Sequence, residues 1–191
     1  LLLMGILTVI SILLKQKSEG IKYLLFGGFI VVAMVNTIYL SGSTIYLNQK
    51  SQTGGPVHWH ADFEIWNCGQ KVVLIDPSGL SNRVGTPVFH EHNDFRIHVE
   101  GVVVKTEDVA LDNFFNVVGG VLNEKSLGVP TNDGVMLLRN GDLCDGKPGK
   151  VQVFVYKVTN PREHGKWEYT QEKIDDYVSY VLSPYSVVPP G

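Results

Sequence analysis

Charged and apolar residues are distributed very differently in the first fifty residues and in the rest of the chain. Residues 23–49 contain no charged side chain, and about 20 apolar residues are enough to cross a hydrocarbon core of roughly 30 Å. Tyrosines lie toward both ends of this run, where aromatic belts form in membrane proteins. The pattern therefore predicts a transmembrane helix.

A second apolar stretch, residues 1–14, is too short to span a membrane unaided. The chain opens with Leu instead of Met, so we expect this helix to be truncated. It lacks the basic region and the small-residue cleavage site of a signal peptide. The connecting segment, residues 15–22, carries Lys15, Lys17 and Lys22, and the positive-inside rule places it in the cytoplasm. Residues 1–50 are thus predicted to form a transmembrane helical hairpin, with the C-terminal domain outside.

Beyond residue 50 the pattern changes to that of β-strands. A polar linker with Gly and Pro occupies residues 51–56. In residues 57–66 apolar side chains then alternate strictly with polar ones, which is typical of a half-buried strand. Further strands are predicted at residues 71–75, 96–104, 135–138 and 151–158, and the dipeptides Asn140-Gly141 and Asp145-Gly146 favour tight turns.

One helix is predicted in this domain. Thr106 is a candidate cap, an apolar stripe at helical spacing follows, and Gly119-Gly120 is a stop signal. Residues 174–181 fit helical spacing but also suit a strand. The predicted fold class is α+β, with a transmembrane hairpin (1–50), a linker (51–56) and a mostly antiparallel β domain with one packed helix (57–191), which we call the head.

Charge divides the chain at the same place. The formal net charge is −3, composed of +3 in residues 1–50 and −6 in residues 51–191. An acidic head argues against nucleic acid as a partner, because nucleic-acid binding requires a basic surface. The expected partners are membrane lipid and, through close helix approach at Gly27-Gly28, other membrane subunits or further copies of the chain.

The two cysteines, Cys68 and Cys144, are far apart in sequence and form no Cys-x-x-Cys motif. In an oxidising compartment the simplest interpretation is one disulfide bond. Coordination of copper or zinc by these thiolates is the alternative.

Histidine carries the main chemical signal of the sequence. Five of the six histidines lie between residues 58 and 98, and four of them form two His-x-His pairs. Residues i and i+2 of a strand point to the same face, and imidazole is a common ligand of zinc and copper. The predicted metal ligands are His58, His60, His90, His92 and His98. The carboxylates predicted to orient their rings are Asp62, Glu64, Glu91 and Asp94.

The alternative is that these histidines are ordinary polar residues of a half-exposed sheet, and His164 is predicted to be solvated. Motifs for serine hydrolases, nucleotide binding and zinc proteases are absent from the sequence, so no catalytic residue is nominated. The leading hypothesis is a membrane-tethered, extracytoplasmic module that binds copper or zinc, for capture or delivery of the metal or as an accessory subunit of an envelope membrane complex. The alternatives are a mononuclear copper or zinc enzyme that uses the same histidines, and an assembly subunit without metal.

Four segments carry a resemblance, namely residues 58–63 (HWHADF), 90–94 (HEHND), 96–101 (RIHVEG) and 111–115 (LDNFF). Together they resemble a set of uncharacterised prokaryotic membrane-anchored proteins with an external head that contains His-x-His-Ala-Asp. The resemblance implies a location in the cytoplasmic membrane of a prokaryote and a recurring His motif, but no activity.

Overall fold

The computed structural model describes residues 2–14, 18–160, 163 and 165–182. It divides into two compact units, residues 1–49 and 50–191. The predicted loop lysines Lys15 and Lys17 lie outside the described residues, and so does His164.

The helices are α1 (Leu2–Leu13), α2 (Glu19–Lys50) and α3 (Leu111–Val117), with a 3₁₀ turn at Thr106–Val109. The strands are β1 (Pro56–Asp62), β2 (Ile65–Asn67), β3 (Gln70–Val72), β4 (Val84–Gly85), β5 (Phe89–Glu91), β6 (Arg96–Val102), β7 (Val121–Asn123), β8 (Ser126–Thr131), β9 (Gly134–Arg139), β10 (Leu143–Cys144), β11 (Lys147–Pro148), β12 (Val153–Val158) and β13 (Tyr169–Ile174). The predicted α+β class is confirmed.

The N-terminal unit consists of α1 and α2. By length and composition α2 could cross a membrane, since its 32 residues include a stretch with a mean hydropathy of 2.0. A Cβ atom placed on Gly28 of α2 would lie 3.5 Å from the Leu7 methyl groups of α1, so the two helices are in contact there. Most of the apolar side chains on both helices are exposed.

The stretch predicted as a linker is bound to the C-terminal unit. The Ser51 hydroxyl donates to the carbonyl of Val103 at 2.6 Å, and the side-chain carbonyl of Gln52 accepts the N–H of Thr106 at 2.7 Å. Pro56 is already the first residue of β1. Ordered structure of this unit therefore begins directly after α2.

The central sheet of this unit has the antiparallel order β1-β6-β5-β4. On one face, Trp59 of β1 and Phe89 of β5 both lie opposite Val99 of β6. This face packs against α3, whose Phe114 is fully buried. A second sheet, β7-β8-β9, contributes the fully buried Val129 to the same core. The alternation predicted for β1 therefore has its apolar face inside and its histidine face outside.

The predicted helix is interrupted. The segment Thr106–Val109 forms a 3₁₀ turn, and Ala110 is extended before α3 begins. Ala110 bridges to Val181, and the N–H of Leu111 donates to the carbonyl of Tyr180. These contacts with a distant part of the chain break the helix in two, and Thr106 is not its cap. The predicted end is close, since α3 stops at Val117.

The disulfide between Cys68 and Cys144 is present, with their Cα atoms 5.3 Å apart. Cys68 occupies the turn of the β2–β3 hairpin, and Cys144 precedes the Asp145-Gly146 turn of the β10–β11 hairpin. Both turns have positive φ at their central residues, as two-residue hairpin turns require. The bond therefore joins two hairpins that are separate in the sequence.

The C-terminal described segment, for which the sequence allowed either a helix or a strand, contains no helix between residues 174 and 182. Ile174 ends β13, which pairs with β12, and Val181 makes the bridge to Ala110. Between them Tyr177 is buried against the core. The helix-like spacing thus arises from separate contacts with the core.

A candidate metal centre on the central sheet

Three histidines form a row across adjacent strands of the central sheet. His60 of β1 and His90 of β5 both pair with His98 of β6, one from each side. Directly opposed residues in a sheet lie on the same face, so the three imidazoles project from the face opposite the core. The next pair on this face, two residues away on each strand, joins His58 of β1 to Glu100 of β6.

His92 reaches this row from outside the strands. The strand geometry predicted for the second His-x-His pair does not hold, because β5 ends at Glu91 and the chain then turns through positive φ angles at Asn93 and Phe95. The turn nevertheless returns the His92 ring to within 4.6 Å of the His90 ring and 4.9 Å of the His98 ring, measured between centroids. All five predicted histidines are therefore brought together.

Two sets of potential ligands result, each with its ligand atoms within 4.8 Å of one another. We call His90, His92 and His98 the inner triad, and His58, His60 and Glu100 the outer triad. The inner triad is largely buried, with His90 only 1% and His98 only 8% exposed. In the outer triad, the side chain of His58 is 66% exposed.

Hydrogen bonds fix which nitrogen two of the inner rings can offer. Nε2 of His98 lies 2.9 Å from Oδ2 of Asp94, and Nδ1 of His92 contacts the carbonyl oxygen of Asn82. When these nitrogens carry the proton of a neutral ring, Nδ1 of His98 and Nε2 of His92 present lone pairs. Nδ1 of both His90 and His98 is buried without a hydrogen-bond partner among the described residues. This is the arrangement that an imidazole metal ligand needs.

The four carboxylates predicted to orient the rings have different surroundings. Asp94 binds His98, whereas Asp62 forms an ion pair with Arg96 at 2.7 Å, and Glu64 forms one with Lys71 at 2.8 Å. Glu91 is 2% exposed, and its Oε1 accepts the backbone N–H of Asp94. By strand alternation it projects from the opposite face of β5 to His90.

Glu100 is a site residue that the sequence reasoning did not nominate. Its Oε1 lies 3.1 Å from Nε2 of His58 and 3.6 Å from Nδ1 of His98, and its Oε2 lies 3.8 Å from Nε2 of His90. Glu100 and His98 are two residues apart on β6, so their side chains point to the same face. This spacing is the sequence signal that could have identified Glu100. Which histidines it meets depends on the register with β1 and β5.

Gly85 positions the fourth strand against the site. It pairs with His90 at φ +113°, and an added Cβ would lie 2.6 Å from the carbonyl oxygen of Phe89. Only glycine fits this close approach without strain. β4 can therefore cover the side of β5 next to His90.

The electrostatics favour the neutral form of two of these imidazoles, His60 and His90. Burial lowers the pKa of His60, and the neighbouring charges of His98, His58 and Arg96 lower it further. The pKa of His90 is also lowered, first by burial and then by His92. Burial raises the pKa of Asp94, but its hydrogen bond and charge interaction with His98 outweigh this and leave the pKa below its usual value. A neutral ring is the form that binds a metal ion.

A buried set of three imidazoles, with an acidic side chain behind one of them, could hold a metal ion. Comparisons with models of protein families, with curated proteins and with solved structures gave no match. The resemblance drawn from the four sequence segments therefore stays a prediction, and the chemistry of the site is inferred from its geometry.

Proposed function

We propose that this chain is a membrane-tethered protein whose head, outside the cytoplasm, binds a zinc or copper ion at the inner triad for capture or delivery. One observation carries the metal site. The buried rings of His90 and His98 each have an Nδ1 without a hydrogen-bond partner among the described residues, next to the ring of His92. Leaving such buried polar atoms unsatisfied is unfavourable, and a bound ion would satisfy them.

The ligand chemistry favours zinc or copper. Imidazole suits both ions, whereas calcium and magnesium prefer oxygen ligands. Three histidines with one position left over resemble the open zinc sites of proteins. The exposure of the adjoining outer triad would let an ion exchange with solvent or with a partner.

The membrane tether is supported by α2. Only 6% of its most apolar stretch is buried within the protein, so a hydrocarbon environment would remove a large apolar surface from water. In the proposed topology α1 and α2 form a hairpin with the basic segment inside. The disulfide agrees with an oxidising compartment for the head.

Zinc titration of the full chain in detergent tests the metal site. We expect the wild type to bind zinc, and His92→Ala to weaken the tightest site at least tenfold. Glu64→Gln is the matched control, because Glu64 pairs with Lys71, and it should leave binding unchanged. A wild type that binds no zinc and no copper would contradict the proposal.

Membrane fractionation tests the tether. The intact chain should stay in the membrane pellet after alkaline carbonate extraction, and protease added outside right-side-out vesicles should digest the head. A soluble product that lacks α2 would instead show that the N-terminal region is a cleaved signal sequence.

A further inference from the structure

We propose that the inner and outer triads form one centre for two metal ions, with the carboxylate of Glu100 as the bridge between them. This inference rests on the proposed metal binding at the inner triad. It adds a second ion, a second set of ligands and a role for Glu100.

The position of Glu100 supports a bridging role. Within the outer triad its carboxylate lies 3.1 Å from His58. It also approaches two rings of the inner triad, His98 at 3.6 Å and His90 at 3.8 Å. A carboxylate has two oxygens and about four lone-pair sites, so it can bind one ion with each oxygen. The strand register produces this position, because Glu100 lies opposite His58 and two residues beyond His98.

The outer triad has a free ligand of its own. Nε2 of His60 is buried and has no hydrogen-bond partner among the described residues. The His60 ring lies 4.6 Å from the His58 ring and 4.6 Å from the His98 ring, between centroids. Two-metal centres in proteins place their ions about 3.5–4 Å apart. The adjoining triads are close enough for such a pair.

Charge makes Glu100 more important for the second ion than for the first. The inner triad supplies three imidazole rings of its own, with Asp94 behind His98, and it can bind an ion without help from Glu100. A second divalent cation nearby would be repelled by the first. The anionic bridge offsets this repulsion, since Asp62 on the same face is already paired with Arg96.

Exposure sets the order of filling. The inner triad is largely buried and is shaped by hydrogen bonds to Asp94 and Asn82, so it should bind first and more tightly. In the outer triad the side chains of His58 and Glu100 are 66% and 41% exposed. Solvent can therefore complete the coordination of the second ion, which should exchange more readily.

Zinc titration of four versions of the full chain in detergent, followed by metal analysis, tests the proposal. The wild type should bind two zinc ions per chain in two steps. Glu100→Gln and His58→Ala should each weaken the second step at least tenfold and leave the first within about threefold. His92→Ala should weaken the first step. Far-UV circular dichroism checks that each variant is folded, and the exposure of Glu100 and His58 makes these two substitutions mild.

Each other outcome has a distinct meaning. One zinc ion per wild-type chain, or a second step that Glu100→Gln leaves unchanged, would overturn the two-ion centre while the metal-binding function stands. No zinc or copper bound by the wild type would overturn both.

Copper(II) gives a readout that depends on the bridge itself. Two copper(II) ions joined by a carboxylate interact magnetically, so the electron paramagnetic resonance signal per copper should fall as the second ion enters the wild type. A signal that stays proportional to copper content would overturn the bridge.

Discussion

His98 points its two ring nitrogens at two different acidic groups. Nε2 lies 2.9 Å from Oδ2 of Asp94, and Nδ1 lies 3.6 Å from Oε1 of Glu100. A hydrogen bond from Nε2–H to Asp94 holds the ring in the tautomer whose Nδ1 can bind a metal ion. His98 also pairs with both His60 and His90, so it is the centre of the histidine row.

Asp94→Asn should lower zinc affinity at the inner triad by about 10–100-fold, which is the usual effect of losing a partner that orients a ligand. The number of ions bound should not change, because Asp94 is not a proposed ligand. Zinc titration of the detergent-solubilised chain measures both quantities. Asp62→Asn is the matched control, since Asp62 lies on the same face but binds Arg96. An equal loss in both variants would contradict a specific role for Asp94.

The metal-free protein should lose stability in mild acid. The pKa values of His60 and His90 are lowered from 6.5 by burial and neighbouring charges, so below that pH the unfolded chain binds more protons than the folded one. Stability is then complete above the unfolded-state pKa and is lost as the pH falls through the lowered folded-state values. Asp94 acts only in stronger acid, because its lowered pKa lies below 3.8.

Urea unfolding of the chelator-treated chain at a pH of about 7.5 and about 5 measures this loss. The double variant His60→Asn/His90→Asn should show a smaller difference between the two pH values. The same difference in the wild type and the double variant would assign the acid sensitivity to other groups.

Replacing both cysteines, in Cys68→Ser/Cys144→Ser, should lower the free energy of unfolding by about 2–5 kcal/mol. The bond closes a loop with a sequence separation of 76 residues, and the chain-entropy model gives about 4.5 kcal/mol for a loop of this size. Urea unfolding measures the loss. Zinc binding by the folded variant should be retained, because neither cysteine belongs to β1, β5 or β6. A lower zinc stoichiometry would favour the alternative of cysteine ligands.

Phe114→Ala should destabilise the head by about 3–5 kcal/mol, which is typical of removing a buried phenylalanine. Phe114 is fully buried, and its ring centroid lies 5.4 Å from that of Phe89, the residue before His90. We therefore expect weaker zinc binding as well. Phe154→Ala is the control, because Phe154 is 46% exposed, and a similar loss of stability there would contradict the packing argument.

Local patterns predicted the elements that carry the site on β1 and β6. Trp59 and Ala61 alternate with His58 and His60. The structure packs the first pair, partly buried, against the core and places the second pair on the opposite face. The two-residue turn at Asp145-Gly146 was likewise predicted from the sequence, since the preferences of such turns are local.

Structural features that depend on contacts between distant parts of the chain could not be predicted from the sequence. Ala110 interrupts the predicted helix because it bridges to Val181, and no local signal marks that pairing. The same holds for the acidic residues of the site. Asp62 and Glu100 both share a face with histidines, but the register places Arg96 opposite Asp62 and His58 opposite Glu100. Register between strands is set by the whole sheet, so it decided which carboxylate meets the rings.

The outer triad joins β1, at the edge of the central sheet, to β6, which lies about 40 residues further along the chain. An ion bound there would cross-link the two strands reversibly, and its binding free energy would offset the entropy cost of closing this loop. Removal of the ion would make it easier for β1 to detach from β6, and this would expose Trp59 and Ala61 further to water. A shortage of the metal would therefore lower the folding stability of the head.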